Sequence, residues 1–454
     1  MSKIYRPYEP DQTYLLPPSL KEWLPKNHLT YFINDLVDEL DLSEITREYE
    51  GEDRGYPPYH PVMMTKVLVY GYCVGKPSSR RIQKELEEGI AFRVLAAENR
   101  PDFRTISDFR KRHLNALAKI FCQVLQLCQK AGLVKLGHVA LDGTKIKANA
   151  SKHKAMSYDR MCKTEAELEK EVERLLQEAA RVDAREDELY GQDKRGDELP
   201  EELSRRETRL KKIREAKKAL EEEACLKAQK EAAERAAKES ACNGKKPPGR
   251  PAGPVQKKPE GKAQRNFTDP DSKIMKGADK AFVQAYNAQA AVDSKAQIIV
   301  AHDVITNPND SVATVEMVDQ IKEHCGKMPK KMSADSGNYS EDNVEELKAR
   351  EVEPFIATGK ITHSDRLVSA PRGRIPVSAT VKDRMARKLK TKRGRTIYAR
   401  RKAIVEPVFG QIKSVRGFDR FLLRSHWKVR CEWAMICMGH NLLKLFRSGK
   451  YAFA

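Results

Sequence analysis

The chain has no long hydrophobic run. Its apolar stretches fall far short of the roughly 20 residues a membrane helix needs, which excludes a spanning protein. The opening MSKIYRPYEPDQTY lacks the apolar segment of a secretion signal. Cysteine is scarce: nine in 454 residues, an odd number with no CxxC pair. That usage fits reduced thiols in a cytoplasm rather than a disulfide framework. Charge, by contrast, is abundant. Lys and Arg number 85 against 65 Asp and Glu, a net charge of +20, and so basic a chain points to nucleic acid as partner. At roughly 150 residues per domain, two or three domains are expected.

Residues 1–135 read as helical with polar loops. A Pro-rich entry at Leu16-Pro17-Pro18-Ser19 precedes an amphipathic stretch, Leu29 to Leu40, with Phe32, Leu36 and Leu40 on one face. Met64, Val67, Leu68 and Tyr72 line a second helix after the Pro-rich turn Tyr56 to Pro61. Arg80 and Arg81 open a third, and Arg104 and Arg110 belong to a loop and the arginine-rich helix that follows it. Short helices with basic starts suit a helix-turn-helix DNA-docking domain; an ordinary helical domain with a solvated basic face is the alternative.

From residue 136 the periodicity changes, and 136–454 is read as one α/β domain with insertions. His138 to Thr144 is a buried strand ending in a carboxylate. Within 155–240, Leu168, Val172, Leu175, Ala179 and Val182 form a coiled-coil seam. A break at Tyr190–Pro200 separates it from a second arm with Leu203, Leu210, Ile213 and Leu220, giving an antiparallel helical hairpin. Residues 243–266 are Pro, Gly and Lys with little to bury, a disordered basic linker; its Gly249-Arg250-Pro251 has the form of a minor-groove-binding tripeptide. Strands at Ala281–Asp293 and Ala296–Ile305, a helix at Thr314–His324, a strand ending at Asp335, a helix at Ser340–Arg350 and a strand at Pro354–Ala357 follow. A basic irregular stretch, Ser364–Arg395, leads into a helical C-terminus. The order predicts a mixed α/β sheet covered by helices.

Three acids stand at element boundaries of this portion: Asp142 and Asp335 at strand ends, and Glu406 at or just inside the start of a helix. Carboxylates so placed can converge at one edge of a sheet. Such a cluster repels itself unless hard cations such as Mg²⁺ occupy it. Two ions could then activate an attacking oxygen and stabilise a leaving one in a phosphodiester. A strand-end aspartate that merely caps its loop is the other reading of each acid.

The neighbouring residues narrow the choice. Asp142-Gly143-Thr144-Lys145, Ala334-Asp335-Ser336-Gly337-Asn338-Tyr339 and Glu406-Pro407-Val408-Phe409-Gly410-Gln411-Ile412-Lys413 together resemble the DDE transposases of bacterial insertion sequences. The resemblance extends over nearly the whole chain. It implies a ribonuclease H-like catalytic fold with a helical N-terminal domain, and Asp142, Asp335 and Glu406 as ligands of two Mg²⁺ or Mn²⁺ ions. It further implies double-stranded DNA as partner, at element ends and target, and a homodimer on DNA. Many members carry a Tyr-x2-Arg-x3-Glu-x6-Lys signature. Here Tyr398, Arg401, Glu406 and Lys413 are present, but Arg401 is one residue too early, about 100° of helix, and Lys402 holds the expected register. Lys413, Tyr398, Arg401 and Lys402 are thus the candidates for gripping end phosphates. The long insertion lies between the first two acids, whereas in the family it usually lies between the last two.

Cys431, Cys437 and His440 have no standard zinc spacing and, with Trp433 and Leu443, read as a core stripe. His138 and His302 are read as satisfying local hydrogen bonds. Asp303 and Asp310 are read as loop caps, a supporting position behind the acids being the alternative. A nuclease that stops after one cut, and a non-catalytic DNA-binding protein, remain as alternatives to a transposase.

Overall fold

The computed structural model describes residues 19–50, 57–190, 201–241, 258–277, 281–359 and 373–451. The Pro-rich entry before Ser19, the break at 191–200, the Gly249-Arg250-Pro251 tripeptide and residues 364–372 of the basic stretch lie outside them.

Among the described residues, seven α-helices come first: α1 (Leu29–Asp38), α2 (Ser43–Thr46), α3 (Pro61–Cys73), α4 (Ser79–Glu88), α5 (Ile90–Leu95), α6 (Phe103–Arg112) and α7 (Leu114–Lys130). Local chemistry sets several starts. Pro61 takes the first turn of α3, where its missing N–H costs nothing. Asp102 caps α6 by accepting from the Thr105 amide. In α1, Phe32, Ile33, Leu36 and Val37 are buried on one stripe.

The chain then enters β1 (Val139–Lys147) and a short β2 (Ala155–Ser157). Two long helices follow, α8 (Tyr158–Tyr190) and α9 (Glu201–Ala241). They pair through a small core of Met161, Leu168, Leu210, Ile213, Ala216 and Leu220, separate from the main one. Arg214 and Lys217 of α9 pair with Glu165 of α8. Within the expected seam Val172 and Leu175 are only half-buried, and Ala179, Val182 and Leu203 lie outside the described side chains. The chain returns through β3 (Gln264–Asn266), antiparallel to β2, so the end of the expected disordered linker is a strand.

Next come β4 (Lys273–Lys276), β5 (Phe282–Asp293), β6 (Ile299–Ile305), α10 (Thr314–Cys325), β7 (Lys331–Ala334), α11 (Glu341–Ala349) and β8 (Glu353–Ile356). In the main sheet β5 lies beside β1, β1 beside β7 and β7 beside β8, while β4 and β6 pair with β5. The β6–β5–β1 part is antiparallel and the β1–β7–β8 part parallel. This is the ribonuclease H-like mixed sheet. β5 is buried on both faces, and Ala285, Ala288, Ala290 and Ala291 keep it thin enough for close cover.

Three helices close the fold: α12 (Val381–Lys390), α13 (Lys392–Gly410) and α14 (His426–Ser448). The stretch expected to be irregular up to Arg395 is thus helical from Val381. Thr380 and Asp383 form a reciprocal cap at its start. α13 also begins well before Glu406, so Pro407 sits inside the helix rather than at its start. Pro407 has no N–H for the Ala403 carbonyl, and Gln297 Nε2 supplies that hydrogen bond at 3.0 Å. α14 is buried almost all round, from Val429 to Leu445. It is wedged between α3 and α7 on one side and β6 on the other, and one continuous core joins the N-terminal helices to the sheet.

Candidate active site

Alternation along β1 decides which side chains meet which helix. Asp142 and Thr144 face α13 and the π-helical turn after it (Gln411–Val415), while Gly143 and Lys145 face the other way. β7 runs parallel to β1 with Val139 opposite Met332 and Ala140 opposite Ser333. Carried two residues on, that register sets Asp335 level with Asp142 on the neighbouring strand, at a spacing of about 5 Å between strands. Asp335 Oδ1 accepts from the Gly337 amide (2.9 Å) and from Asn338 Nδ2 (3.0 Å), which fixes the carboxylate at the strand end. Burial, together with the nearby Asp335 charge, pushes the Asp142 carboxyl up to about 6 even though Arg401 opposes the shift.

Arg401 is the cation of the site. Its Nη1 lies 2.8 Å from Asp142 Oδ2, with side chains 10% and 18% exposed, and its guanidinium also lies 5.9 Å from the centre of the half-buried Tyr398 ring. Burial raises the Tyr398 phenol. Glu406 stands apart. Five residues after Arg401, it projects about 140° round the helix, is 55% exposed and lies 3.9 Å from Lys402. Asp335 thus lies near enough to Asp142 for its charge to be felt there, while Glu406 projects from a different side of α13 than Arg401. Among the described residues, no three His, Cys, Asp or Glu side chains converge closely enough to hold a metal.

The basic candidates divide in the same way. Lys413 is turned inward, donating to Thr144 Oγ1 (3.2 Å) and to the Lys145 carbonyl (3.1 Å), and burial lowers its pKa. Lys402 is exposed. Arg80, Arg81 and Arg104 are also exposed, with Arg80 and Arg104 both lying over the Phe103 ring. Arg110 is not a surface contact. It is 6% exposed and donates to the Pro77 carbonyl (2.7 Å) and Ser79 Oγ (3.2 Å), tying α6 to the start of α4. The expectation that Arg110 touches DNA is corrected: it shares the buried face of α6 with Ile106 and Phe109.

Of the other residues singled out, His440 and His138 make the expected local bonds, whereas Asp303 stands inside β6 and caps no loop. His440 is buried and bonds the Gln297 carbonyl, and Trp433 and Cys437 are buried with it in α14. His138 bonds Ser333 Oγ, and His302 packs edge-on against Phe121. Asp303 pairs with Arg430 at 2.7 Å. Asn287 and Gln289 had no part in the expected site, yet they lie directly behind Asp142, with Gln289 opposite Gly143 and Asn287 opposite Lys145. Two amides at i, i+2 in an Ala-rich buried strand were the available signal.

A mixed sheet of this order, flanked by helices, defines the class of ribonuclease H-like folds. Residues 18–112 match a family described as a transposase domain (DUF772), and residues 255–442 match the transposase DDE domain. The second match contains Asp335 and Glu406, and Asp142 precedes it. No curated protein and no solved structure matches the chain. The chain belongs to the DDE transposases of insertion sequences.

Proposed function

We propose that this transposase binds the ends of its own element and cuts and rejoins DNA there, with Asp142, Asp335 and Glu406 as the catalytic carboxylates. The observation that carries the reading is the level register of Asp142 and Asp335 on neighbouring strands, with the Arg401 guanidinium paired to Asp142. Two carboxylates side by side, one of them already paired with a cation, are a donor set suited to a hard divalent ion. Glu406, exposed on α13, would be the third ligand.

Bound there, such ions would supply charge for the attacking and leaving oxygens of a phosphodiester. The protein's part is to hold the substrate and exclude alternatives. Asp142 and Asp335 fix the reacting edge of the sheet. Lys402 and Tyr398 flank it on α13 and grip the phosphate beside the scissile bond. Arg80, Arg81 and Arg104 present charge to the backbone of the end duplex. A water oxygen attacks the phosphorus first, and the 3′-oxygen of the strand leaves and takes up a proton. That 3′-hydroxyl then loses its proton and attacks a target phosphodiester, displacing another 3′-oxygen, so the number of ester bonds is conserved in the second step. Bringing two ends together calls for two copies of the chain. Among the described residues no helix is long and apolar enough to cross a membrane, and the reading places the protein with DNA in the cytoplasm.

The test is Asp142→Asn assayed on labelled end DNA with Mg²⁺. Retained end binding with loss of cleavage supports the reading, and unchanged cleavage overturns it. Strand-transfer products from the wild type separate a transposase from a nuclease that stops at the first cut.

A further inference from the structure

Behind the paired aspartates lies a carboxylate that the reaction does not use. Asp310 opens a short 3-10 turn, Asp310–Ala313, leading into α10. It was expected to cap this loop, but the cap is Asn309, whose side chain accepts from the Ser311 amide. Asp310 instead points at the sheet. Its side chain is 13% exposed. Oδ1 accepts from Asn287 Nδ2 and from Gln289 Nε2 (2.7 Å), and Lys145 Nζ lies 3.3 Å away. The donors are themselves held: Gln289 Nε2 also bonds Asn287 Oδ1 (3.0 Å), and Lys145 also donates to the Pro308 carbonyl (3.0 Å). A carboxylate gripped by two amides and an ammonium is a rigid object.

Two glycines rest against it. A Cβ on Gly143, the residue after Asp142, would lie 2.7 Å from Asp310 Oδ1 and 2.8 Å from Asn287 Oδ1, and would collide with Gln289 Nε2. On Gly337, the residue two past Asp335, a Cβ would lie 3.0 Å from Asp310 Oδ2 and 3.1 Å from Asp335 Oδ1. The two oxygens of one side chain therefore meet the backbone beside each of the two level aspartates. Neither glycine has a positive φ, so close approach, not backbone conformation, is what requires the absence of a side chain.

We propose that Asp310 is a positioning residue: its clamped carboxylate is the common wall on which the Gly143 and Gly337 backbones seat, and it sets the separation of Asp142 and Asp335. The chemical consequence rests on the function proposed above; the seating itself does not.

The experiment is a double-mutant cycle with Asp310→Ala and Gly337→Ala, read as Mn²⁺-dependent cleavage of end DNA and as the urea midpoint of unfolding. Asp310→Ala is expected to lose about 10- to 100-fold in cleavage, the usual scale for residues that orient metal ligands. Half-saturation should move to higher Mn²⁺ while end binding is kept. Asp310→Asn, which keeps the shape and the acceptor, should recover most of the loss. Because the wall is already gone, adding Gly337→Ala to Asp310→Ala should cost less than it does in the wild type, in both readouts. Losses that multiply independently, or an unshifted Mn²⁺ half-saturation in Asp310→Ala, overturn the proposal. Should the wild type not cleave at all, the proposed chemistry fails, while the cycle in urea midpoints still decides whether Asp310 seats Gly337.

Discussion

Arg401 Nη1 and Asp142 Oδ2 meet at 2.8 Å, joining α13 to the central strand β1. On the function proposed above, a divalent ion would compete with the guanidinium for the same oxygen. Opposite charge at this range favours the ionised carboxylate, so on that reading the pair is a resting arrangement that a metal ion would displace. Arg401→Gln should therefore bind Mn²⁺ more tightly than the wild type when no DNA is present, measured by titration calorimetry. Equal or weaker binding would show that the guanidinium does not stand in the ion's way.

Asp142 also gives the fold a pH dependence of known sign. Its carboxyl is raised from 3.8 to about 6, so between these values the folded state binds the proton more tightly than the unfolded chain. This contribution to stability is full below about pH 4 and is lost as pH rises through about 6. A shift of about two pH units corresponds to at most about 3 kcal/mol. Urea unfolding of Asp142→Asn against wild type should show the variant gaining relative stability by up to that amount between about pH 4 and pH 7. A constant difference across the range would mean that Asp142 is not destabilised as an anion.

The two kinds of arginine in the N-terminal helices should separate cleanly. Arg104→Ala removes an exposed charge, so end-DNA affinity should fall, the dependence of log affinity on log salt should flatten by about one ion, and the melting temperature should hold. Arg110→Ala removes a buried tie to the Pro77 carbonyl and Ser79. It should lower stability by about 1–3 kcal/mol and leave the salt dependence unchanged. Fluorescence anisotropy at several salt concentrations, paired with calorimetric melting, distinguishes the outcomes.

The α8–α9 hairpin has its own small core, and its roots are held by β2 and β3, where Ser157 faces Gln264. Joining those two residues through an Asn-Gly turn should close the two strands and leave the main fold intact. The excised protein should unfold with a midpoint close to that of the full chain. A collapse of the main transition would show that the hairpin supports the sheet.

Much of this architecture was legible from residue patterns alone. The strands at β5, β6, β7 and β8 and the helices α10 and α11 follow from short apolar runs and periodicity, with boundaries close to those expected. Asp335 was legible as a strand end for the same reason, but Asp142 was not: β1 runs on to Lys147, so Asp142 stands inside the strand, because the polar residues Thr144 to Lys147 still pair with β5. The start of α13 was not, because Pro407 reads locally as a helix beginning. Its tolerance inside the helix depends on Gln297, a residue of the distant β5–β6 turn that donates to the orphaned Ala403 carbonyl. Arg110 was half legible: four residues after Ile106, it falls on the apolar stripe of α6. The orientation of Glu406 depends on how α13 is seated against β1, which no local pattern encodes.

The wedging of α14 between α3, α7 and β6 has an implication for how such an element could change over generations. Asn441 bonds the Ile299 backbone with both ends of its amide, while Gly439 on the same helix lies close under Tyr72 of α3. A cut between the first helices and the rest would bare apolar surface on both pieces. New end preferences would thus arise by point replacement on the exposed helices, not by trading a detachable reader between lineages.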